Sequence, residues 1–141
     1  METRIRLLVV DDDSATLQTL THLLQHFGFD VVSEKSPESA VAILAAQNDI
    51  AVLICDYEMP GMDGEELARR AKQLNANMPV FVFSGSNPPA VEKAPWDGWF
   101  LKGIAVTHLI TRLNTLRPGG RECDINSGQG DKEIRTDCGA C

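Results

Sequence analysis

Six polar side chains stand directly behind, or close, apolar runs in this sequence. Asp11, Asp12 and Asp13 follow "LLVV", Asp56 follows "VLIC", Ser84 closes "PVFVFS" and Lys102 follows "GWFL". If those runs are neighbouring parallel strands, their carboxyl ends share one rim, and ligands bind at that rim in open α/β sheets. Asp11, Asp12 and Asp56 beside a single fixed cation repel one another, and a divalent ion relieves that repulsion best. An all-oxygen set with open positions suits Mg²⁺ or Mn²⁺ rather than zinc. Mg²⁺ held by one or two carboxylates commonly takes phosphate oxygens as further ligands. Lys102 and the Ser84 hydroxyl supply a charge and a donor for such oxygens. A carboxylate can also be the nucleophile that forms an aspartyl phosphate, and Asp56 is the candidate.

The elements needed to bring these residues together are legible in the spacing. Residues 5–10, 29–33, 50–55, 79–84 and 98–101 read as strands. Asp13 or Ser14 caps a helix carrying Leu17, Leu20, Leu24 and Phe27 at helical spacing, with Gly28 past its end. Ser36 and Pro37 begin a second helix that runs to about Gln47. Asp63 opens a third, with Glu65 and Glu66 early and Arg69, Arg70 and Lys72 late, an order that suits the helix dipole. The last helix covers 104–116, with Ile104, Leu109, Leu113 and Leu116 available for its buried side. Strands apolar on both faces that alternate with helices imply a parallel sheet covered on both sides. The expected fold is a flavodoxin-like, doubly wound α/β domain with a five-stranded parallel sheet in the order 2-1-3-4-5. Between the fourth and fifth strands lies "GSNPPAVEKAPWDG", whose three prolines allow at most a helical stub. A shortened or missing fourth helix is therefore expected.

The bulk numbers bound the rest. A chain of 141 residues with 43% hydrophobic content fits one domain with a full core. Composition shifts at Pro118, so the domain is placed at 1–118 and a glycine- and cysteine-containing tail at 119–141. The tail reads as flexible or as an appended segment. Thirteen basic against twenty acidic residues give −7 and no basic cluster, which argues against direct DNA binding. No apolar run spans a membrane, and the start is too short to be a signal-peptide core, so a cytoplasmic protein is expected. Cys55 reads as a small buried hydrophobe. Cys138 and Cys141 form a C-x-x-C pair whose partner Cys123 leaves a four-ligand zinc site incomplete, so incidental tail thiols are the simpler reading. His22, His26 and His108 fall on predicted helix surfaces, where solvation suffices to explain them.

The set "LLVVDDD", "LICDYEMPGMDG", "VFVFSGS" and "FLKG", in that order, resembles the receiver domain of two-component response regulators over roughly residues 4 to 117. The resemblance implies that Asp56 is the phosphoacceptor. It implies that Asp11, Asp12, Asp56 and the backbone carbonyl of Glu58 hold Mg²⁺. Ser84 then matches the switch hydroxyl, Lys102 the lysine that contacts the phosphoryl group, and Trp99 the switch aromatic. Trp99 taken alone reads equally as packing. Glu58 and Ser86 stand where such domains tune hydrolysis of the acyl phosphate. The implied activity is signal transduction in a phosphorelay: a phosphoryl group passes from a histidine kinase or phosphotransfer protein to Asp56. A conformational shift then reaches an output protein. The chain would be no enzyme in the ordinary sense, since transfer and dephosphorylation are its own.

Two departures from that pattern matter. Lys102 is followed by Gly103 where the family has proline, so a trans peptide is expected there. The proline-rich stretch 85–97 removes part of the family's output and dimer face, which predicts a monomer or weak dimer. The competing reading keeps the fold without the chemistry, as a pseudo-receiver used only for protein interaction. A haloacid-dehalogenase-like hydrolase fits less well, because Glu58 stands where its second aspartate would be.

Overall fold

The computed structural model describes residues 5–103 and 106–116. The tail, its three cysteines and Ile104 lie outside the described residues. In chain order the elements are β1 (Arg6–Val10), α1 (Ser14–His26), β2 (Asp30–Glu34), α2 (Pro37–Ala46), β3 (Val52–Cys55), α3 (Gly64–Leu74), β4 (Val80–Ser84), β5 (Gly98–Leu101) and α4 (Val106–Asn114). The strands form one parallel sheet in the order β2-β1-β3-β4-β5, as the alternation of apolar runs and helices requires. Of the described residues, 5–103 form one compact unit. α4, whose Leu109, Ile110 and Leu113 are buried, belongs to a second.

Local chemistry sets the helix starts. The Asp13 carboxylate accepts from the Thr16 N–H, the Ser36 hydroxyl from the Ser39 N–H and the Asp63 carboxylate from the Glu66 N–H, each satisfying an orphan donor of the first turn. Pro37 takes the first helical position, where its missing N–H costs nothing. One sheet face, with Leu8, Val10, Leu53, Cys55, Val80 and Val82, packs against α2 and α3 through Ala40, Leu44, Leu67, Ala68 and Ala71. Leu7, Val9, Ile54 and Phe81 point to the opposite face, on whose side α1 buries Leu17, Leu20 and Leu24. Phe27 does not join that stripe. α1 stops at His26, Gly28 adopts φ +93° in the left-handed region, and the reversal sends Phe29 into the core while Phe27 stays 44% exposed. Leu116 likewise falls past the end of α4 and is 39% exposed.

No helix forms between β4 and β5, as Pro88, Pro89 and Pro95 predict. The entry to β5 is held by the backbone and side chain of Asp97 instead. The Asp97 N–H donates to the Val80 carbonyl (2.6 Å), and Asp97 Oδ2 accepts from the Val80 N–H (2.8 Å). Lys72 Nζ, on α3, donates to that same Asp97 oxygen at 2.7 Å and to the Met78 carbonyl at 2.9 Å. A single carboxylate thus ties β5 to β4 and to α3. On the same side, Tyr57, Trp96 and Trp99 pack as half-buried rings against the α2–α3 face of the sheet.

Candidate functional site

Strand register decides which chemical groups meet. β1 and β3 pair with Val10 opposite Cys55, so Asp11 and Asp56, one residue further on each, leave the sheet side by side. β4 and β5 pair with Ser84 opposite Leu101, which carries Lys102 just beyond Ser84. The Lys102 N–H donates to the Ser84 carbonyl at 2.8 Å and fixes that junction. The Asp56 N–H donates to the Val10 carbonyl (3.0 Å) and the Asp11 N–H to the Glu34 carbonyl (3.2 Å), so the backbone of both acids is tied to the neighbouring strand.

One carboxylate oxygen from each of Asp11, Asp12 and Asp56 lies within 4.8 Å of the others. Opposite ligands of an octahedral Mg²⁺ stand roughly 4.2 Å apart, so small side-chain rotations would close this set around one such ion. The donors are hard oxygens, which fit Mg²⁺ or Mn²⁺. Asp11 is 4% exposed and Asp12 is open to solvent. Lys102 Nζ donates to Asp11 Oδ2 at 3.0 Å and stands 3.5 Å from Asp56 Oδ2, so one ammonium bridges the two less exposed acids. Asp13, by contrast, is an exposed helix cap whose N–H turns back to Asp11 Oδ1.

The charges are not balanced. Burial first, then the charge of Asp11, pushes the Asp56 carboxyl above its ordinary range, while Lys102 and the Tyr57 N–H pull the other way without prevailing. For Lys102, burial opposes the charge, but the hydrogen bond and charge of Asp11, then those of Asp56, outweigh it and raise the ammonium. Next door, burial holds the Cys55 thiol up to about 12, which leaves it inert. A carboxyl that ionises less readily in the folded chain stabilises the fold below its unfolded pKa, and that stability is lost as pH rises through the folded value. Asp56 therefore weakens the fold at neutral pH. Asp56→Asn is expected to raise the Tm at pH 7 without added divalent ions, by on the order of a few degrees. Thermal scans should show the gain shrinking as pH falls into the ordinary carboxylate range.

Ser84 is 2% exposed, and its hydroxyl accepts from the Ser86 N–H at 3.2 Å. The carbonyl of exposed Ser86 accepts from Trp99 Nε1 at 2.8 Å. Trp99 packs on Tyr57 (centroids 5.3 Å) and on Trp96 (5.0 Å). Glu58 follows Asp56 in the turn and is exposed. Gly61 takes φ +86° with the Glu38 carboxylate lying against it, a turn that a side chain would strain. Gly103 takes φ +88°, and the described residues contain no cis peptide. Glycine at 103 is thus explained by a left-handed turn.

Two features escaped the sequence reading. Tyr57 was legible only as the neighbour of Asp56, because ring contacts depend on tertiary packing. Gly64 is the first residue of α3, and its N–H donates to the Tyr57 carbonyl at 2.7 Å. A Cβ there would fall 2.6 Å from the Asp56 carbonyl oxygen and 2.7 Å from Tyr57 Cα. The only signal was a glycine at a helix start, where alanine would be the better helix former.

Comparison with known proteins agrees with this architecture. The chain is 29% identical over 136 residues to the response regulator MprA of Mycolicibacterium vanbaalenii, covering 94% of this chain and 57% of MprA. It is 32% identical over 116 residues to the cell cycle transcriptional regulator CtrA of Caulobacter vibrioides, covering 79% of this chain and 50% of CtrA. The chain thus spans about half the length of these relatives. It shares its fold with the response regulator protein TrrA of Thermotoga maritima, solved with Mg²⁺ and BeF, at a TM-score of 0.73 and 22% identity over 79% of this chain and 97% of that one. Residues 7–114 match the family described as the response regulator receiver domain. The chain belongs to that family, the receiver domains of two-component response regulators.

Proposed function

We propose that this chain accepts a phosphoryl group on Asp56 from a phosphohistidine and passes the change of state to a protein partner. The observation that carries the reading is the convergence of Asp11, Asp12 and Asp56 within 4.8 Å under the bridging ammonium of Lys102. A strand buried on both faces ends in a carboxylate at the one point where it meets solvent. A carboxylate oxygen of Asp56 attacks phosphorus as the P–N bond of the donor breaks. The electron pair stays on the imidazole nitrogen, which takes up a proton. Asp11, Asp12, Asp56 and the Glu58 carbonyl would hold Mg²⁺, which when bound offsets charge on the phosphoryl oxygens. The Lys102 ammonium swings from Asp11 and Asp56 to a phosphoryl oxygen, and the Ser84 hydroxyl donates to another. Ser84 then gives up the Ser86 N–H, and because Ser86 holds the Trp99 indole, the change reaches the surface. Glu58 and Ser86 flank the phosphoryl group and set access of the water that removes it.

The donor is a histidine kinase or phosphotransfer protein, and the receiving partner is a protein of the same signalling route. We take 1–118 as the functional domain and 119–141 as an appendage to it. With no helix between β4 and β5, the domain works as a monomer or weak dimer in the cytoplasm. Among the described residues, no helix is long and apolar enough to cross a membrane. Beryllofluoride, which mimics a phosphoryl group on a carboxylate, tests the site. With Mg²⁺ present it should change the tryptophan fluorescence, and a chelator or Asp56→Asn should abolish the change. An unchanged signal, with the fold intact, favours the pseudo-receiver, which would bind partners regardless of phosphodonor.

A further inference from the structure

We propose that the surface formed by Tyr57, Trp96 and Trp99 docks an arginine-bearing segment of a partner protein. The proposal rests on the receiver reading only in taking that partner to be the one that receives the signal. The three rings form a closed triangle, with centroids 5.0, 5.3 and 6.2 Å apart and planes inclined by 50° to 89°. Each is half-buried against the sheet on one side, and the described part of the β4–β5 connection supplies no helix to cover the other. The patch therefore presents ring faces and edges to solvent.

Its charge surroundings select the occupant. Glu58 and Asp63 are exposed and form no salt bridge with the described residues. Glu65 is shared with Arg69 at 2.7 Å. Burial first, then the charges of Asp63, Glu65 and Glu58, push the Tyr57 phenol upward. An aromatic surface with carboxylates beside Tyr57 suits a guanidinium, which stacks on ring faces and pairs with a carboxylate in a bidentate fork. Lysine fits less well, because its compact ammonium holds its hydration more strongly and cannot stack. A purely apolar segment would desolvate Glu58 without pairing it.

The patch is also wired to the site. Tyr57 follows Asp56 in the chain, and Trp99 reaches Ser84 through Ser86 by two hydrogen bonds. Occupancy and the state of Asp56 should therefore influence each other.

The test titrates the full chain with acetyl-Gly-Arg-Gly-Arg-Gly-amide and with its lysine and leucine counterparts, following tryptophan fluorescence and the indole N–H signals by NMR. The arginine peptide should saturate and bind about fivefold tighter than the lysine peptide. Trp96→Leu and Glu58→Gln, each checked for fold by circular dichroism, should both weaken it by at least roughly threefold. Equal binding of the arginine and lysine peptides would overturn the proposal, as would tightest binding by the leucine peptide or indifference to both variants. Phosphoryl uptake measured on the same samples separates the two readings. Uptake without arginine-selective binding removes the docking surface and leaves the phosphoacceptor standing; selective binding without uptake does the reverse.

Discussion

Lys102→Gln is expected to slow phosphoryl uptake at Asp56 by on the order of 100-fold while tightening Mg²⁺ binding by about tenfold. The two effects oppose each other because the proposed function gives Lys102 two tasks. Before transfer its ammonium lies 3.0 Å from Asp11 and 3.5 Å from Asp56, where it competes with any divalent cation for the same oxygens. On the proposed mechanism it would serve during transfer as a preorganised donor to the phosphoryl oxygens, and loss of one such donor would be the costly change. Glutamine keeps a hydrogen-bonding head without the charge. It also leaves the nearly buried Asp11 side chain, 5% exposed, without its cation, which lowers the Tm of the metal-free chain. Added Mg²⁺ should recover more Tm in the variant than in the parent. Mg²⁺ titration by tryptophan fluorescence, with uptake rates from intact mass, reads both quantities. A parallel fall in metal affinity and rate would show that Lys102 only props up the loop.

Gly64→Ala should destabilise the domain by about 2–3 kcal/mol, although glycine-to-alanine changes on helices ordinarily stabilise by about 1 kcal/mol. The sign reverses because the new methyl would lie 2.6 Å from the Asp56 carbonyl oxygen and 2.7 Å from Tyr57 Cα. Both obstacles are backbone, which cannot rotate away. α3 must retreat from the loop, or the Asp56–Tyr57 peptide must shift, and either displaces the acid from Asp11. Phosphoryl uptake should fall with stability. Gly85→Ala is the contrast, because a Cβ at that position meets nothing within 4 Å. It should leave the urea midpoint nearly unchanged. Equal midpoints for the two variants would mean that the close approach at Gly64 relaxes at no cost.

The site was legible in the sequence to the extent that strands determine it. Runs of four or five apolar residues name the strands, and parallel pairing leaves no freedom over where Asp11, Asp56, Ser84 and Lys102 emerge. The polar groups and the topology constrain one another, and few other arrangements satisfy both. The prolines at 88, 89 and 95 also foretold the missing helix. What replaced the helix was not legible. Asp97 reaches Lys72 across 25 positions of chain, and Tyr57 meets Trp96 and Trp99 across about forty, contacts that no periodicity encodes. Phe27 fitted the helical stripe but lay one residue beyond the helix, where the turn at Gly28 gave its place in the core to Phe29. Gly103 shows the same limit. A missing proline was visible, but the left-handed turn that calls for glycine required the backbone angle.

By the proposed function, the convergence of acids at the sheet's rim makes Asp56 a phosphoacceptor. Intact-mass measurement after incubation with acetyl phosphate tests it directly, with and without Mg²⁺, on the parent chain and on Asp56→Asn. The parent chain should gain one phosphoryl group, a gain that requires Mg²⁺, disappears in Asp56→Asn and is lost again on standing as the acyl phosphate hydrolyses. No gain in a folded parent chain, or the same gain in Asp56→Asn, would contradict it.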